Sequence, residues 1–510
     1  MSKAKVEVEL TDEEFFKQRM QQIEEGRKNG MEIYPHKYET SHKLVDIRAQ
    51  STEFETGKKG EETVSCAGRV TTIRGHGKLY FFVVEAENTS IQLILNSGEA
   101  EIYKIAEFLR RGDIIGFKGV CGKSNTGEPS VFVSELKLLT PCLRVIPSLK
   151  SGLKDPETIY RHRHIDLLVN KESKDRFRDR SRIISYVRNF LISKDCLEVE
   201  TPMMHIVYGG AAAKPFVTFH NELKQQLYMR VAPELYLKKL VIGGIDRVFE
   251  IGKNFRNEGI DLTHNPEFTA CECYIAYFDY EDWMNTSEEL LSGLVMELKG
   301  SLQYNYEPKK RDSENISIPL DFSRPFKRYD IIDELNKELK LDLNGENIES
   351  SLDLLIKSLE ERGVTVEHPK TLNRVLDKFI GEYIEPKCIN PSFITGHPMA
   401  MSPLAKESRT RKGVTERFEL FINGKEIINS YTELNDPAVQ KERFLEQVKT
   451  KDAGDQEAMP IDEDFCNSLE FGLPPTGGWG IGIDRLVMYL TNAANIRDVI
   501  FFPAMRPENN

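Results

Sequence analysis

Charged and aromatic residues cluster between positions 247 and 277, in a stretch that alternates like two strands joined by a polar loop. Successive side chains of a strand point to opposite faces, so each strand presents one polar face. The candidates on those faces and in the loop are Asn254, Arg256, Asn257, Glu258, His264, Asn265, Phe268, Glu272 and Tyr274. An arginine, carboxylates, a histidine and an aromatic ring so close together favour an anionic ligand that carries a ring, and ATP fits that description.

A second polar hairpin is predicted at residues 417–433, where Asn423 and Gly424 stand between apolar runs and form a strong signal for a two-residue turn. That turn would pair Ile422 with Lys425, Phe421 with Glu426 and Glu419 with Ile428. Glu419 and Glu426 would then lie diagonally on one face, about 7 Å apart, as two ligands for magnesium. Taken alone, such a pair is more often two surface glutamates. Asn429 falls on the other face by this parity, so sharing the site would require the strand to bulge or curl between residues 426 and 429.

The third candidate region, residues 476–485, is interpreted as a glycine-rich turn that enters a helix. A dinucleotide-binding GxGxxG pattern would require glycine at position 485, where arginine stands, and no GxxxxGK[ST] pattern occurs. Arg485 would lie in the first helical turn, whose free amides also favour anions. The small-residue loop at 209–213 and Glu234 are weak signals by themselves.

Composition limits the class of protein. The chain has 510 residues, 40% hydrophobic and 29% charged, which predicts two to four domains of a globular protein. No apolar run approaches the roughly 18 residues of a membrane span, and residues 1–10 lack a leader pattern, so we expect a cytoplasmic protein without a membrane partner. The eight cysteines are scattered and predicted to be reduced and structural. A net charge of −12 argues against nonspecific nucleic-acid binding but leaves a local RNA contact open.

Residues 62–145 change to short alternating runs, with one helical stretch at 99–111 between the third and fourth of five strands. That order is typical of an OB-type five-stranded barrel, which binds oligonucleotides. Arg74, Phe81 and Gln92 are the candidates for contacting RNA bases. Of the adjacent Phe81 and Phe82, one must point into the core, and an ordinary packing role stays open.

The remaining segments are predicted mainly as helices. A capping box at Thr11 and Glu14 begins a helix over 11–30. An amphipathic helix at 173–194 leads into a strand that ends at Pro202, which fits either an ordinary core or a dimer interface. Residues 329–386 are predicted to be three helices, at 329–339, 348–361 and 371–384, inserted between two halves of a sheet.

Three separated segments, residues 190–202, 255–274 and 477–485, resemble motifs 1, 2 and 3 of the class II aminoacyl-tRNA synthetases. The segments 256–268 and 431–437 are most similar to lysyl-tRNA synthetases of the cytosolic type, and the resemblance runs from about residue 12 to 508. It implies an α+β fold: an OB-type anticodon-binding barrel and a catalytic domain with an antiparallel sheet flanked by helices. The implied divisions are a helical extension at 1–61, the barrel at 62–145, a linker at 146–172 and the catalytic domain at 173–510.

The resemblance also implies roles for individual residues. Arg256 and Arg485 would be catalytic, and Glu419 and Glu426 would hold magnesium. The implied ATP-binding set is Arg256, Asn257, Glu258, His264, Asn265, Phe268, Glu419, Glu426, Ile427, Gly482, Ile483, Asp484 and Arg485. The implied lysine-binding set is Gly210, Glu234, Arg256, Glu272, Tyr274, Asn429, Tyr431 and Glu433.

Amino-acid choice can be argued from charge. The resemblance gives the pocket positions as Glu234, Glu272, Tyr274, Asn429, Glu433 and Gly210. Three of these are carboxylates and none is a cation, which favours an ammonium side chain over aspartate. Together with this charge argument, the resemblance implies a magnesium-dependent ligase for lysine and tRNA(Lys), and the similarity of residues 176–202 to motif 1 implies a homodimer. The alternatives are an aspartyl- or asparaginyl-type enzyme, a relative that modifies a protein lysine, and a catalytically inactive scaffold. The sequence leaves any multi-synthetase partners open.

Overall fold

The computed structural model describes residues 11–76, 79–96, 100–147, 152–308, 316–366, 368, 370–452 and 459–507. It divides into two compact units, residues 1–171 and 172–510. The finer divisions at residues 61, 145 and 172 stay predictions. Among the described residues, none of the helices combines the length and apolar character that crossing a membrane requires.

The first unit is built on a closed five-stranded barrel, as predicted, with the strand order β1-β2-β3-β5-β4. The strands are β1 (Lys59–His76), β2 (Leu79–Ala86), β3 (Thr89–Asn96), β4 (Ile114–Lys123) and β5 (Pro129–Thr140). The unit's helices are α1 (Asp12–Lys28), α2 (Leu44–Glu53), α3 (Ala100–Phe108), α4 (Pro156–Arg161) and α5 (Arg163–Val169). The predicted capping box is present, because Thr11 and Glu14 each bond the other's backbone. Part of the predicted helix at 99–111, residue 99, lies outside the described residues.

A buried ion pair attaches α1 to the barrel. The Arg19 guanidinium lies 2.6 Å from the Asp113 carboxylate, and both side chains are almost completely excluded from solvent. Arg19 also donates to the Phe108 carbonyl at 2.8 Å. Because removing one partner would leave a buried charge unpaired, this pair fixes the position of α1.

The second unit contains an eight-stranded sheet with the order β14-β15-β16-β17-β18-β11-β10-β6. Its strands are β6 (Leu197–Glu198), β10 (Arg247–Phe255), β11 (Glu267–Ala276), β14 (Lys327–Asp330), β15 (Ser392–Thr395), β16 (Arg417–Ile422), β17 (Lys425–Thr432) and β18 (Thr476–Gly482). Two small sheets contain β7 (Met204–His205), β8 (Val217–His220), β9 (Gln225–Met229), β12 (Gln303–Tyr306) and β13 (Ile318–Asp321). The central strands of the large sheet, β16, β17, β18, β11 and β10, are mutually antiparallel.

Helices cover one face of this sheet. The unit's helices are α6 (Lys171–Ile192), α7 (Glu234–Ile242), α8 (Tyr280–Lys299), α9 (Ile331–Leu339), α10 (Leu352–Glu360), α11 (Leu372–Phe379), α12 (Pro437–Asp452), α13 (Glu463–Leu469) and α14 (Ile483–Leu490). Apolar side chains of α6, α8 and α14 form one buried core with the sheet, in which the Trp283 and Trp479 rings stack at 5.4 Å. On the opposite face, Val248, Tyr274 and Ala276 pack with α7 and α13 in a second buried cluster, and polar side chains occupy the part of that face beside a cavity.

Two sequence predictions need correction here. Residues 329 and 330 belong to β14 and not to the first helix of the insertion, because they pair with β15, and the Asp330 carboxylate caps α9. The strand predicted to run to Pro202 is limited to Leu197–Glu198 at the edge of the sheet. The Thr201 amide leaves the strand ladder and donates to the Glu250 carboxylate at 3.1 Å.

Candidate active site

The hairpin formed by β10 and β11 supplies one wall of a cavity of about 390 Å³. Its register pairs Glu250 with Glu272 and Asn254 with Phe268. Phe268, Glu272 and Tyr274 line the cavity, while Cys271 and Cys273 are buried in the core on the other face. The cavity therefore lies on the face of the hairpin that period-two alternation predicted.

The strand β18 forms the floor of the cavity, so the prediction of a glycine-rich turn at 476–482 was wrong. Gly478, Gly480 and Gly482 face the cavity, while Trp479 and Ile481 are buried in the core. Glycine is disfavoured in strands, but here it leaves room where other groups approach the backbone closely. A Cβ on Gly478 would stand 1.8 Å from Glu433 Oε1.

The glycine strand places the side chains of its two neighbours in rows. Gly480 pairs with Glu272 on one side and with Asn429 on the other. Gly478 pairs in the same way with Tyr274 and Tyr431. The polar side chains of β11 and β17 therefore stand on opposite sides of a trough whose floor carries no side chains.

The hairpin of β16 and β17 has the predicted two-residue turn, with positive φ angles of 50° at Asn423 and 68° at Gly424. Ile422 pairs with Lys425 and Phe421 with Glu426, as expected. The predicted pair of Glu419 with Ile428 was wrong, because a register shift between Leu420 and Phe421 places Glu419 opposite Asn429. Without a bulge, Asn429 would point to the face opposite Glu419 and Glu426. The bulge turns Asn429 to the same face, and all three side chains line the cavity.

Cationic groups meet at the loop end of the cavity. The Arg256 guanidinium lies over the Phe268 ring at 5.1 Å. Arg485 is in the first turn of α14, as predicted. Its Nη2 lies 2.8 Å from His264 Nε2, and its Nη1 donates to the Glu426 carbonyl at 2.8 Å. Because a guanidinium can only donate, His264 Nε2 accepts. The imidazole proton then sits on Nδ1, 2.8 Å from Asp261 Oδ2.

Glu419 and Glu426 are the carboxylates nearest to these cations in the cavity wall. Glu419 Oε1 lies 2.6 Å from Arg417 Nη2, and its Oε2 lies 3.4 Å from His397 Nε2. Burial acts to raise the pKa of Glu419, but Arg417 and His397 lower it to about 2. Burial and the neighbouring Glu419 raise the pKa of Glu426. Within the described ranges, no group of three or more histidine, cysteine, aspartate or glutamate side chains could hold a metal by itself.

Carboxylates dominate the opposite end of the cavity. Glu234 lines the cavity and accepts hydrogen bonds from the Tyr431 hydroxyl at 2.7 and 2.8 Å. The Tyr274 hydroxyl donates to Glu272 Oε2 at 3.1 Å. Burial and the nearby Glu234 raise the pKa of Glu272 to about 8. Gly210 (φ 88°) fits tightly here, since a Cβ would lie 2.9 Å from the Glu234 Cβ.

Several expected site residues have other partners. Asn257, Ile483 and Glu433 do not line the cavity, and Ile483 and Glu433 are buried. Asp484 lines it but accepts from Arg180 at 2.5 Å and from the Thr269 amide at 2.6 Å. Asn265 similarly donates to the Glu267 carbonyl and accepts from the Ala504 amide. The candidates that line the cavity as expected include Asn254, Glu258, Ile427 and Gly482.

Sequence reasoning missed some residues of this site. Lys238 is a buried cation that contacts Glu234. Arg417 and His397 are a half-buried cation and a buried ring that both contact Glu419. Lys238 is one helical turn after Glu234, so the four-residue spacing was a usable signal. Also missed was a set of further lining residues: Thr263, Met401, Ser402 and Gln447.

The barrel of the first unit carries its own candidate surface. Arg74 pairs directly with Phe81, and Val83 pairs with Gln92, which puts Arg74, Phe81 and Gln92 on one outward face. Phe82 is completely buried, so Phe81 is the ring that is turned outward. The Gln92 amide donates to Ser130 Oγ at 3.0 Å. The face combines a cation with an accessible ring.

Comparisons with known proteins match both units. Residues 155–506 match the family described as tRNA synthetases class II (D, K and N), and residues 64–139 match the OB-fold nucleic acid binding domain. A relative from Encephalitozoon cuniculi, named a probable cytoplasmic lysine–tRNA ligase, is 57% identical over 510 residues, all of both chains. A lysine–tRNA ligase from Fervidobacterium nodosum is 44% identical over 498 residues, 98% of this chain and 95% of the relative.

Proposed function

Because the chain belongs to the class II tRNA synthetases (D, K and N), we propose that it activates L-lysine with ATP and transfers the lysyl group to tRNA(Lys). The family includes enzymes for aspartate, lysine and asparagine, so the amino-acid end of the cavity must decide between them. The single observation that carries the choice is the negative charge of that end.

The amino-acid end holds Glu234 and Glu272, and Glu433 lies next to it over Gly478 of the glycine strand. One ammonium, that of Lys238, accompanies these three carboxylates. The formal charge is −2 once an arriving ammonium displaces the proton that the raised pKa of Glu272 favours. A buried charge requires an opposite charge, so a substrate with two ammonium groups is matched and an aspartate side chain is repelled. An asparagine side chain would leave the carboxylates uncompensated.

The other end suits ATP. Phe268 offers an aromatic face to adenine, and Glu258 can accept from the adenine amino group. Arg256, His264 and Arg485 are grouped where the phosphates of a nucleotide bound on Phe268 would lie. Asn257 and Ile483 fall outside the cavity wall, and we assign them no direct contact.

The reaction needs no general base, because the carboxylate of lysine is ionised at neutral pH. A carboxylate oxygen attacks the α-phosphorus, the bond from that phosphorus to the bridging oxygen breaks, and pyrophosphate leaves with the electron pair. Arg256 and Arg485 stabilise the negative charge that builds up on the phosphate oxygens, and the two ends of the cavity hold the reactants in line. A hydroxyl oxygen of the 3′-terminal ribose of the tRNA then attacks the lysyl carbonyl carbon, the bond from that carbon to the phosphate oxygen breaks, AMP leaves with the electron pair, and the hydroxyl proton is released.

Magnesium is part of this proposal. Mg²⁺ is usually held by one or two carboxylates together with substrate phosphates, and Glu419 and Glu426 fit that donor set. When bound with ATP, the ion would neutralise phosphate charge. Without it, Arg417 neutralises Glu419 at 2.6 Å and keeps that carboxylate ionised.

The other partners follow from the family. The barrel face with Arg74, Phe81 and Gln92 is our candidate for anticodon contact. Helix α6 and the exposed edge strand β6 are the candidate homodimer interface. We infer a cytoplasmic location, which is the location in the name of the Encephalitozoon relative.

Amino-acid-dependent ATP–pyrophosphate exchange across all twenty amino acids tests the proposal. We expect exchange with lysine alone among the natural set. Exchange with aspartate or asparagine and none with lysine would replace the lysyl assignment by another member of the family. Absence of exchange with every amino acid, in a folded protein that still binds tRNA, would favour the scaffold alternative.

A further inference from the structure

Lys238 is a fully buried lysine in α7, one turn after Glu234. Its Nζ lies 2.7 Å from Glu234 Oε1 and 2.5 Å from Glu433 Oε2. One cation therefore bridges two carboxylates that come from different elements of the fold. Lys238 does not itself line the cavity.

The surroundings of Lys238 make this bridge necessary. Two aromatic rings approach its Nζ, Tyr431 at 6.0 Å and Phe465 at 5.5 Å. The titratable and charged groups that face the bridge are Glu234, Glu272, Tyr274, Tyr431 and Glu433. Without a cation, like charges at this depth would repel and one carboxylate would take up a proton.

The bridge leaves one oxygen of Glu433 available. Its Oε1 has no hydrogen-bond partner in the described part of the chain. That oxygen lies 1.8 Å from where a Cβ on the cavity-lining Gly478 would stand, so only glycine leaves it a path to the cavity. Glu234, held by Lys238 and by Tyr431, lines the cavity from the other side.

We propose that Lys238 is a positioning residue in amino-acid selection: it bridges Glu234 and Glu433 and holds both carboxylates in place before the substrate ammonium arrives. This inference rests on the proposed function. Lys238 touches neither substrate in this scheme and acts only through the two glutamates.

The electrostatics of the bridge support this role. Burial and Glu234 raise the pKa of Glu433 well above its usual value, and Lys238 opposes that rise. Removing the Lys238 ammonium would therefore raise this pKa further and favour the protonated carboxyl. A protonated carboxyl is a poor partner for an ammonium group, and the pocket would lose one charge.

The test is Lys238→Met in the full-length protein, assayed by lysine-dependent ATP–pyrophosphate exchange from pH 6.5 to 8.5. We expect the KM for lysine to rise about 10- to 100-fold over that of the unchanged protein at pH 6.5, with the KM for ATP changed less than about threefold. The ratio of the two lysine KM values should shrink as the pH rises, because Glu433 regains its charge. If the substitution only disturbed packing, the ratio of the two lysine KM values would not change with pH.

Lys239→Met is the matched control, since Lys239 is the next residue of α7 and pairs with the exposed Asp464 at the surface. Its lysine KM should stay within about twofold of the unchanged protein at every pH. A lysine KM for Lys238→Met that stays within about threefold at every pH, or equal losses for lysine and ATP, would overturn the proposal.

Should Lys238→Met fail to fold, the variant Lys238→Met/Glu433→Gln replaces it, because removing both members of a buried pair is often nearly neutral. This double variant should show a raised lysine KM whose ratio to that of the unchanged protein is constant with pH. A ratio that still fell with rising pH would mean that Glu433 is not the titrating group, and would also overturn the proposal. If the unchanged protein itself shows no exchange with lysine, the proposed function fails, which is a separate result.

Discussion

Glu272 and Asn429 lie across Gly480 from each other, on the two strands that flank the glycine strand. A Cβ on Gly480 would meet the Glu272 Cγ at 3.5 Å and the Asn429 carbonyl oxygen at 3.8 Å, which are ordinary contacts. The fold therefore has room for a methyl group at residue 480. We infer that glycine at this position keeps the trough between the two side chains free for the substrate.

Gly480→Ala should accordingly separate folding from substrate binding. We expect a melting temperature within a few degrees of the unchanged protein and a lysine KM raised about tenfold or more, since the methyl group takes space in the trough. Gly381→Ala is the control, because its Cβ would meet only Glu385 Oε1, at 3.9 Å. A large fall in melting temperature for Gly480→Ala would show that the position is structural.

The raised pKa of Glu272, about 8, predicts a pH dependence for lysine binding. Below this pKa the substrate ammonium must displace a proton from Glu272, so the lysine KM should fall as the pH rises towards it, by at most about tenfold per pH unit. Calorimetry at neutral pH, in two buffers with different ionisation enthalpies, should detect proton release on binding. No proton release there would contradict the raised pKa.

Arg256 is expected to be essential for adenylate formation. Arg256→Ala should reduce exchange by a factor of about 10³ or more, because it removes a fixed positive charge beside the reacting phosphate, while the melting temperature stays close to normal. Arg324→Ala, at a residue outside the cavity wall, is the control. Near-normal exchange in folded Arg256→Ala protein would remove this residue from the site.

Glu426 is predicted to act through magnesium. Glu426→Gln should raise the Mg²⁺ concentration needed for half-maximal exchange about tenfold or more, since one of two carboxylate ligands is lost. Glu470→Gln, at an exposed residue outside the cavity wall, is the matched control for the Mg²⁺ titration. Unchanged Mg²⁺ dependence in Glu426→Gln would argue against Glu426 as a ligand.

Adjacent phenylalanines of the barrel give opposite predictions. Phe81→Ala should weaken tRNA charging, by about 1–3 kcal/mol in tRNA binding, and leave lysine-dependent exchange intact. Phe82→Ala, at a completely buried position, should instead lower stability by about 3–5 kcal/mol. Equal losses of charging and exchange in Phe81→Ala would identify a packing residue.

Period-two alternation and turn chemistry could be read from the sequence with some success. They predicted the faces of β10 and β11, the turn at Asn423 and Gly424, and the need for a bulge if Asn429 was to share the site. The bulge lies within the predicted interval of 426–429, because the register with β16 passes from Glu426 to Ile428 and skips Ile427. Local signals set the hairpins, and sheet pairing set their final register.

Two errors have a common cause. The glycine strand was taken for a turn because its four glycines have no preference for a strand, and pairing with both neighbouring strands and the packing of Trp479 on Trp283 stabilise it only in the folded protein. For Lys238, the spacing to Glu234 was a usable local signal, but its second partner, Glu433, is far away in sequence. The bridge between the two glutamates exists only after folding and carries no local pattern.

The alternation of glycine with Trp479 and Ile481 in β18 has a consequence for the thermodynamics of ligand binding. Peptide groups form the floor of the trough, and hydrogen bonds to both neighbouring strands already fix them. That surface has no rotamers to lose when a substrate arrives, so ordering it costs little entropy. The floor is therefore preorganised for binding. Within the trough, the side chains along its two edges are the groups that lose conformational freedom when a substrate binds.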